Sequence, residues 1–173
     1  VNIMTLEDPV EYELPLIRQS QIRESSGMTF GEGVRSILRQ DPDIVFIGEV
    51  RDSDTATMAL RAAMTDHQVY TTLHTNDALG AIPRLVDLGL NASMLSGHII
   101  GILAQRLVRK LCDHCKTARP ATAEECRILG QDAEEPPEVY DAAGCHMCNN
   151  KGYRGRIATV EILPFDDEMD ELV

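Results

Sequence analysis

At 173 residues, with 43% hydrophobic and 25% charged residues and no Trp, the chain has the composition of a globular α/β protein. It is long enough for one sizeable core, or a core plus a small module. Its formal net charge is −12, with 10 basic and 14 acidic groups in residues 1–111 and 6 and 14 in residues 112–173. That balance argues against a general binder of nucleic acid or anionic lipid, which needs clustered Lys and Arg. The longest apolar run, around Ile99–Ala104, falls far short of the roughly 20 residues of a membrane span.

In chain order, Val1 to Leu6 reads as a buried strand that ends in the acidic turn "EDPVEYE". The opening "VNIMTLED" has no signal-peptide pattern and reads as the middle of a longer chain. Thr29 with Glu32 makes a capping box, and Phe30, Val34, Ile37 and Leu38 share one face, so Phe30 to Gln40 is predicted as an amphipathic helix. Asp41-Pro42 stops it, and the apolar strand Asp43 to Ile47 follows. Asp52 or Ser53 caps the next helix, which points Ala56, Ala59, Leu60, Ala63 and Met64 inward. Val69 to Leu73 is another strand, Asp77 to Leu88 a helix stopped by Gly89, and Asn91 is expected to cap a long helix reaching Leu111. The basic cluster "QRLVRK", Gln105 to Lys110, then falls at that helix's C-terminus, where it would offset the dipole.

Alternating strands and helices with short connections predict a parallel sheet covered by helices. Chemistry in such sheets collects beyond the carboxyl ends of the strands. Three strand ends carry polar groups: Glu7 and Asp8, then Glu49 and Asp52, then His74, Asn76 and Asp77. A lone Glu49 could be a helix cap or an ion-pair partner of Arg51. Two carboxylate-bearing strand ends could instead hold a divalent cation or orient a water for attack. His74 could equally be a hydrogen-bonded structural histidine, and His67 and His98 are read as structural.

After Leu111 the character changes. Cys112-Asp-His-Cys115 and Cys145-His-Met-Cys148 are two C-x-x-C pairs separated by 29 residues, and Cys126 stands alone. Two such pairs complete a closed tetrahedral thiolate site and predict structural zinc in a reducing compartment. The alternatives are two redox pairs or thiols without metal, and the acidic surroundings disfavour a depressed thiol pKa. His114 and His146 are expected at the surface and Cys126 packed. Thr122 and Glu125 form a second capping box, and Arg156 to Leu163 alternates like a strand rejoining the main body, followed by a helix start.

The chain holds no G-x-x-x-x-G-K-[ST] and no Gly-Lys dipeptide, and so no phosphate cradle. Either the protein does not use nucleotides or its P-loop lies upstream of Val1.

Taken together, these segments resemble the secretion ATPases of type II secretion and type IV pilus assembly. "TLEDPVEY" is similar to that family's Asp box, and "ILRQDPDIVFIGEVRD" to its atypical Walker B segment, with Gly48 in the usual aspartate position. "HQVYTTLHTNDALGAIPRLVDLG" resembles its His box, and "AQRLVRKLCDHC" with "CHMCNNKGYRGR" its tetracysteine zinc module. The departures are Asp66, where Gly usually precedes the first histidine, and Arg18, where small residues are more usual.

The resemblance implies a RecA-like parallel sheet covered by helices, with a small tetracysteine zinc-binding insertion. Residues 1–111 would be part of the ATPase domain, 112–155 the zinc subdomain, and 156–173 a strand and helix start rejoining the first. It implies Glu49 as the catalytic carboxylate that polarises the attacking water, and Glu7 with Asp8 placing Mg²⁺ or that water. His74 would sense the γ-phosphate, and Cys112, Cys115, Cys145 and Cys148 would hold Zn²⁺. The whole protein would be a hexameric ATPase using ATP, cytoplasmic and peripheral at the inner membrane. Its partners would be an inner-membrane platform protein and accessory secretion or pilus subunits, with no direct nucleic acid. Residues 1–173 alone would be inactive. The tetracysteine module points away from the pilus-retraction branch. Two other readings stay open: a zinc-bearing interaction module on an α/β scaffold, and a DNA-remodelling RecA-like ATPase.

Overall fold

The computed structural model describes residues 1–23 and 27–172. Strands β1 (Ile3–Glu7), β2 (Arg18–Gln21), β3 (Ile44–Ile47) and β4 (Gln68–Thr71) form one all-parallel sheet in the order β2-β1-β3-β4. Register places Met4 opposite Val45 and Leu6 opposite Ile47, so their side chains share one face. That face belongs to a core with Ile22, Val34, Ile37, Leu60 and Leu95, where each fully enclosed aliphatic side chain contributes about 1.5–3 kcal/mol.

Helix α1 (Phe30–Ile37) begins at Thr29, whose side chain accepts from the Glu32 N–H while Glu32 bonds back to the Thr29 N–H, as the capping box predicts. A 3-10 turn, Leu38–Gln40, completes the predicted helical stretch. The helix packs tightly because of its glycines. A Cβ at Gly33 would lie 3.0 Å from methyls of Leu6 and Ile22, and one at Gly31 would collide with the Asp54 carboxylate. Helix α2 (Ser53–Ala63) is capped by Asp52, which accepts from the Thr55 N–H and hydroxyl and leaves Glu49 free of that task. Ala56, Ala59 and Leu60 are buried as expected, but Ala63 is only partly buried and Met64 is exposed. Asp66 adopts a φ of 63°, the left-handed conformation that favours Gly and that Asp tolerates. The departure at this position is thereby accommodated.

Helix α3 (Ala81–Asp87) starts later than predicted, because Asp77 accepts from the Gly80 N–H in a turn. The long helix expected from Asn91 to Leu111 does not form. Helix α4 (Ala92–Leu95) ends at Ser96, in extended backbone, and Gly97, at φ 74°. Residues Gly101–Leu111 are instead a strand, β5, paired with β8 (Tyr153–Pro164). Glycines at 97 and 101 and the β-branched Ile99, Ile100 and Ile102 favour extension, and partnering with β8 completes the switch. The helix-dipole reading of Gln105–Lys110 falls with the helix. Lys110 pairs with Asp113, and Arg109 stacks over Tyr153 at 3.9 Å.

Two compact units are defined: Val1–Ala104 with Glu161–Val173, and Gln105–Val160. In the second, β6 (Lys116–Pro120) pairs antiparallel with β7 (Glu138–Ala142), and α5 (Ala123–Leu129) lies between them in sequence. The Thr122–Glu125 capping box forms as read from the sequence. Glu125 also takes a two-pronged bond from Arg119, which reaches Asp141 as well. The Arg119 guanidinium, with the Thr122 N–H, draws the Glu125 carboxyl down to about 2. Thr122→Ala is expected to cost about 1 kcal/mol of helix stability, read as faster amide exchange confined to Ala123–Leu129. The predicted terminal helix is α6 (Asp167–Leu172); Val173 lies outside the described residues. No helix among the described residues is long and apolar enough to cross a membrane.

Candidate functional site

Parallel pairing brings the carboxyl ends of β1, β3 and β4 to one edge of the sheet. The Gly48 N–H donates to the Leu6 carbonyl at 2.7 Å, the Val50 N–H to the Thr72 carbonyl at 3.1 Å, and the Thr72 hydroxyl to the Gly48 carbonyl at 2.6 Å. Glu49 is thus held between its neighbours at the strand end. Space at Gly48 is tight: a Cβ would sit 3.1 Å from the Leu6 carbonyl oxygen and 3.4 Å from Glu7 Cα.

Glu49 is 9% exposed, and both carboxylate oxygens are engaged. Oε1 pairs with Arg51 at 2.5 Å and Oε2 meets His74 Nε2 at 3.2 Å. Of the roles read from the sequence for Glu49, the ion pair with Arg51 is formed, and the His74 contact joins the ends of β3 and β4. The His74 side chain is 81% exposed, so it can leave Glu49 at little packing cost. Glu7, at the end of β1, is partly buried and accepts at Oε1 from the Thr5 hydroxyl (2.5 Å) and from Gln19 Nε2 (2.9 Å). Asp8 follows it, exposed. Asn76 and Asp77 lie exposed beyond β4, with Asp77 used in the turn before α3. His67 Nδ1 contacts the Ala62 carbonyl and the Thr65 hydroxyl, and His98 Nδ1 contacts the Ser96 carbonyl, both local structural roles. Such an edge can present carboxylates to a hard cation and to a water.

In the second unit the two C-x-x-C turns converge. The Sγ atoms of Cys112, Cys115, Cys145 and Cys148 all lie within 4.8 Å of one another. The separations are 4.0 Å for Cys112–Cys145 and 3.8 Å for Cys115–Cys148 and Cys145–Cys148. They are too long for disulfides, and they match the ~3.8 Å edge of a tetrahedron with metal–sulfur bonds of about 2.3 Å. The residues therefore fit a tetrahedral thiophilic ion such as Zn²⁺. Cys148 is buried, which pushes its thiol up, yet N–H donors from Cys145 and Gly152 and the thiols of Cys115 and Cys145 outweigh burial and draw it down to about 6. Cys115 moves the other way, pushed up to about 12 by burial and by the neighbouring sulfurs. Without a cation the cluster thus tolerates one thiolate and resists the next, and a dication removes that conflict. Gly152, at φ 75°, is needed for this turn, since a Cβ there would lie 2.6 Å from that of Ala142. His114 and His146 are exposed and Cys126 is buried, as expected.

Sequence reasoning missed Gln19, in a segment of β2 without apolar residues, and Thr72, a polar position within the predicted strand Val69 to Leu73. Register against Thr5 and Gly48 is what gives them meaning.

A parallel α/β sheet with a carboxylate–histidine edge and a tetracysteine cluster defines the class, and the chain belongs to the Type II/IV secretion system protein family, which it matches over residues 1–173. Among relatives, the type II secretion system protein E of Pseudomonas aeruginosa is 51% identical over 172 residues, 99% of this chain and 34% of that protein. The type IV pilus assembly ATPase PilB of Thermus thermophilus is 48% identical over 170 residues, 97% of this chain and 19% of that one. The crystal structure of the pilus retraction motor PilT with bound ADP superposes with a TM-score of 0.67 at 29% identity, covering 99% of this chain and 40% of PilT. The chain spans about a third of the length of the type II secretion relatives it matches.

Proposed function

We propose that residues 1–173 are part of a hexameric ATPase motor that powers type II secretion or type IV pilus assembly by hydrolysing Mg²⁺-ATP. The observation that carries this reading is Glu49, enclosed at the end of β3 between Arg51 and His74 and beside the Glu7 end of β1. Relatives bearing the name ATPase support it.

In this reading Glu49 accepts a hydrogen bond from the attacking water and takes up its developing positive charge. Each of its oxygens has one partner and keeps a second lone pair with which to accept from that water. His74, the more exposed partner, moves toward the γ-phosphate and couples the nucleotide's state to subunit motion. Glu7, with Asp8 beside it, would hold Mg²⁺, which when bound offsets phosphate charge. Cys112, Cys115, Cys145 and Cys148 would hold Zn²⁺ as a structural ion. The phosphate cradle would be a G-x-x-x-x-G-K-[ST] segment outside residues 1–173, without which these residues are inactive by themselves.

The domain assignment follows: 1–111 as part of the ATPase domain, 112–155 as a zinc subdomain for partner contacts, and 156–173 rejoining the first. The motor would act in the cytoplasm, against an inner-membrane platform protein and accessory subunits. The test is Mg²⁺-dependent ATP turnover by the full-length protein. Turnover that requires Mg²⁺ is the expected result, and its absence in a folded, oligomeric preparation overturns the reading.

A further inference from the structure

Gln19 has no place in the scheme so far, yet its side chain makes three hydrogen bonds. Nε2 donates to Glu7 Oε1 at 2.9 Å and to the Tyr12 carbonyl at 3.0 Å, and Oε1 accepts from the Leu14 N–H at 2.6 Å. The chemistry of these partners fixes the amide's orientation. A carboxylate and a carbonyl can only accept, and a backbone N–H can only donate. A Glu here would set acceptors against acceptors, and a Leu would make none of the three bonds.

The placement is built into the sheet. Gln19 lies opposite Thr5 in the β1–β2 register, and Thr5 and Glu7 are two residues apart on one strand face. Thr5, 4% exposed, adds a second donor to the same oxygen of Glu7. Two donors on Oε1 hold the carboxylate in one orientation and leave Oε2 without a hydrogen bond among the described residues. The other two bonds fasten the loop after Asp8 at Tyr12 and Leu14.

We infer that Gln19 is a positioning residue: with Thr5 it locks the Glu7 carboxylate so that Oε2 is left available to a cation or a water, and it straps the acidic turn beside it. This rests on the role proposed above for Glu7. Its importance comes from geometry, because misplacing a group by about 1 Å can cost up to about 100-fold in rate.

The test uses the full-length protein with three substitutions: Gln19→Glu, of equal size, Gln19→Leu and Glu7→Gln. Gln19→Glu and Gln19→Leu are expected to lower kcat for ATP hydrolysis by about 10-fold or more. KM for ATP should stay within about 2-fold, the Mg²⁺ concentration for half-maximal turnover should rise, and calorimetric titration of Mg²⁺ into the ADP-bound protein, where nothing turns over, should show weaker binding. A purely structural role would leave the Mg²⁺ requirement of the folded fraction unchanged, and that result overturns the inference, as does wild-type kcat in both variants. If Glu7→Gln is impaired while both Gln19 variants turn over normally, only the role of Gln19 fails. If Glu7→Gln itself keeps wild-type turnover and Mg²⁺ dependence, the role of Glu7 fails, and with it this one.

Discussion

Glu49→Gln in the full-length protein is expected to lower kcat for ATP hydrolysis by a factor of about 10²–10⁴, the range of a lost general base. KM for ATP should move much less, because the carboxylate is assigned to the water and not to the nucleotide. The amide keeps the shape of the side chain, can accept from Arg51 at one atom and can donate to His74 at the other, so the edge of the sheet should stay assembled. That separates charge from scaffold. The measurement is steady-state turnover beside an unfolding midpoint: the midpoint should hold while turnover falls. Wild-type turnover in this variant would remove Glu49 from catalysis and leave the Arg51 ion pair as its whole purpose.

The elements that could be read in advance are those whose own sequence decides them. Thr29/Glu32 and Thr122/Glu125 announce helices by satisfying N–H groups locally, and both boxes are formed. Ile44–Ile47 is too short and too apolar to be anything but a strand buried in the sheet. Where a partner decides, the sequence is silent or misleading. Arg18–Gln21 has no apolar residue, and it is a strand because β1 lies beside it. Residues 101–111 repeat apolar positions at a spacing that suits a helix as well as a strand, and pairing with β8 settles the matter.

The candidate site divides the same way. Glu49 and His74 stand at strand ends that the pattern of elements brings together, so their contact could be anticipated. The three-way bonding of Gln19 depends on a parallel register that no local signal encodes. Gly48 is instructive for the same reason: its neighbours, the Leu6 carbonyl and Glu7 Cα, leave only tight room for a Cβ, which the sequence alone does not reveal.

Cys148→Ser is the variant expected to do most to the second unit. Within Gln105–Val160 the buried hydrophobic residues are Cys112, Ala121, Cys126 and Cys148, so two of the four are themselves thiols of the cluster. A two-stranded hairpin such as β6–β7 is marginal by itself in water, and one seven-residue helix adds little. A bound ion can supply what the missing core does not, since structural zinc contributes on the order of 10–16 kcal/mol in zinc-finger peptides near neutral pH. Serine keeps the size but cannot match a thiolate as a ligand, and it discards the one sulfur that N–H donors from Cys145 and Gly152 hold near 6. The expected result is loss of about one zinc per chain by elemental analysis, with protease cuts appearing within 112–155 while β1–β4 stay protected. Acid should have the same effect on the wild-type protein. The cluster binds metal as thiolates, so falling pH returns protons to the sulfurs and releases the ion, whereas rising pH favours retention. Full zinc occupancy in Cys148→Ser, or purified wild-type protein that is folded and metal-free, would overturn the assignment of the four cysteines. The first result would point to another ligand set, and the second would leave β6 and β7 to be stabilised without an ion, by contacts such as the Arg119–Glu125–Asp141 network and Lys116 over Tyr140.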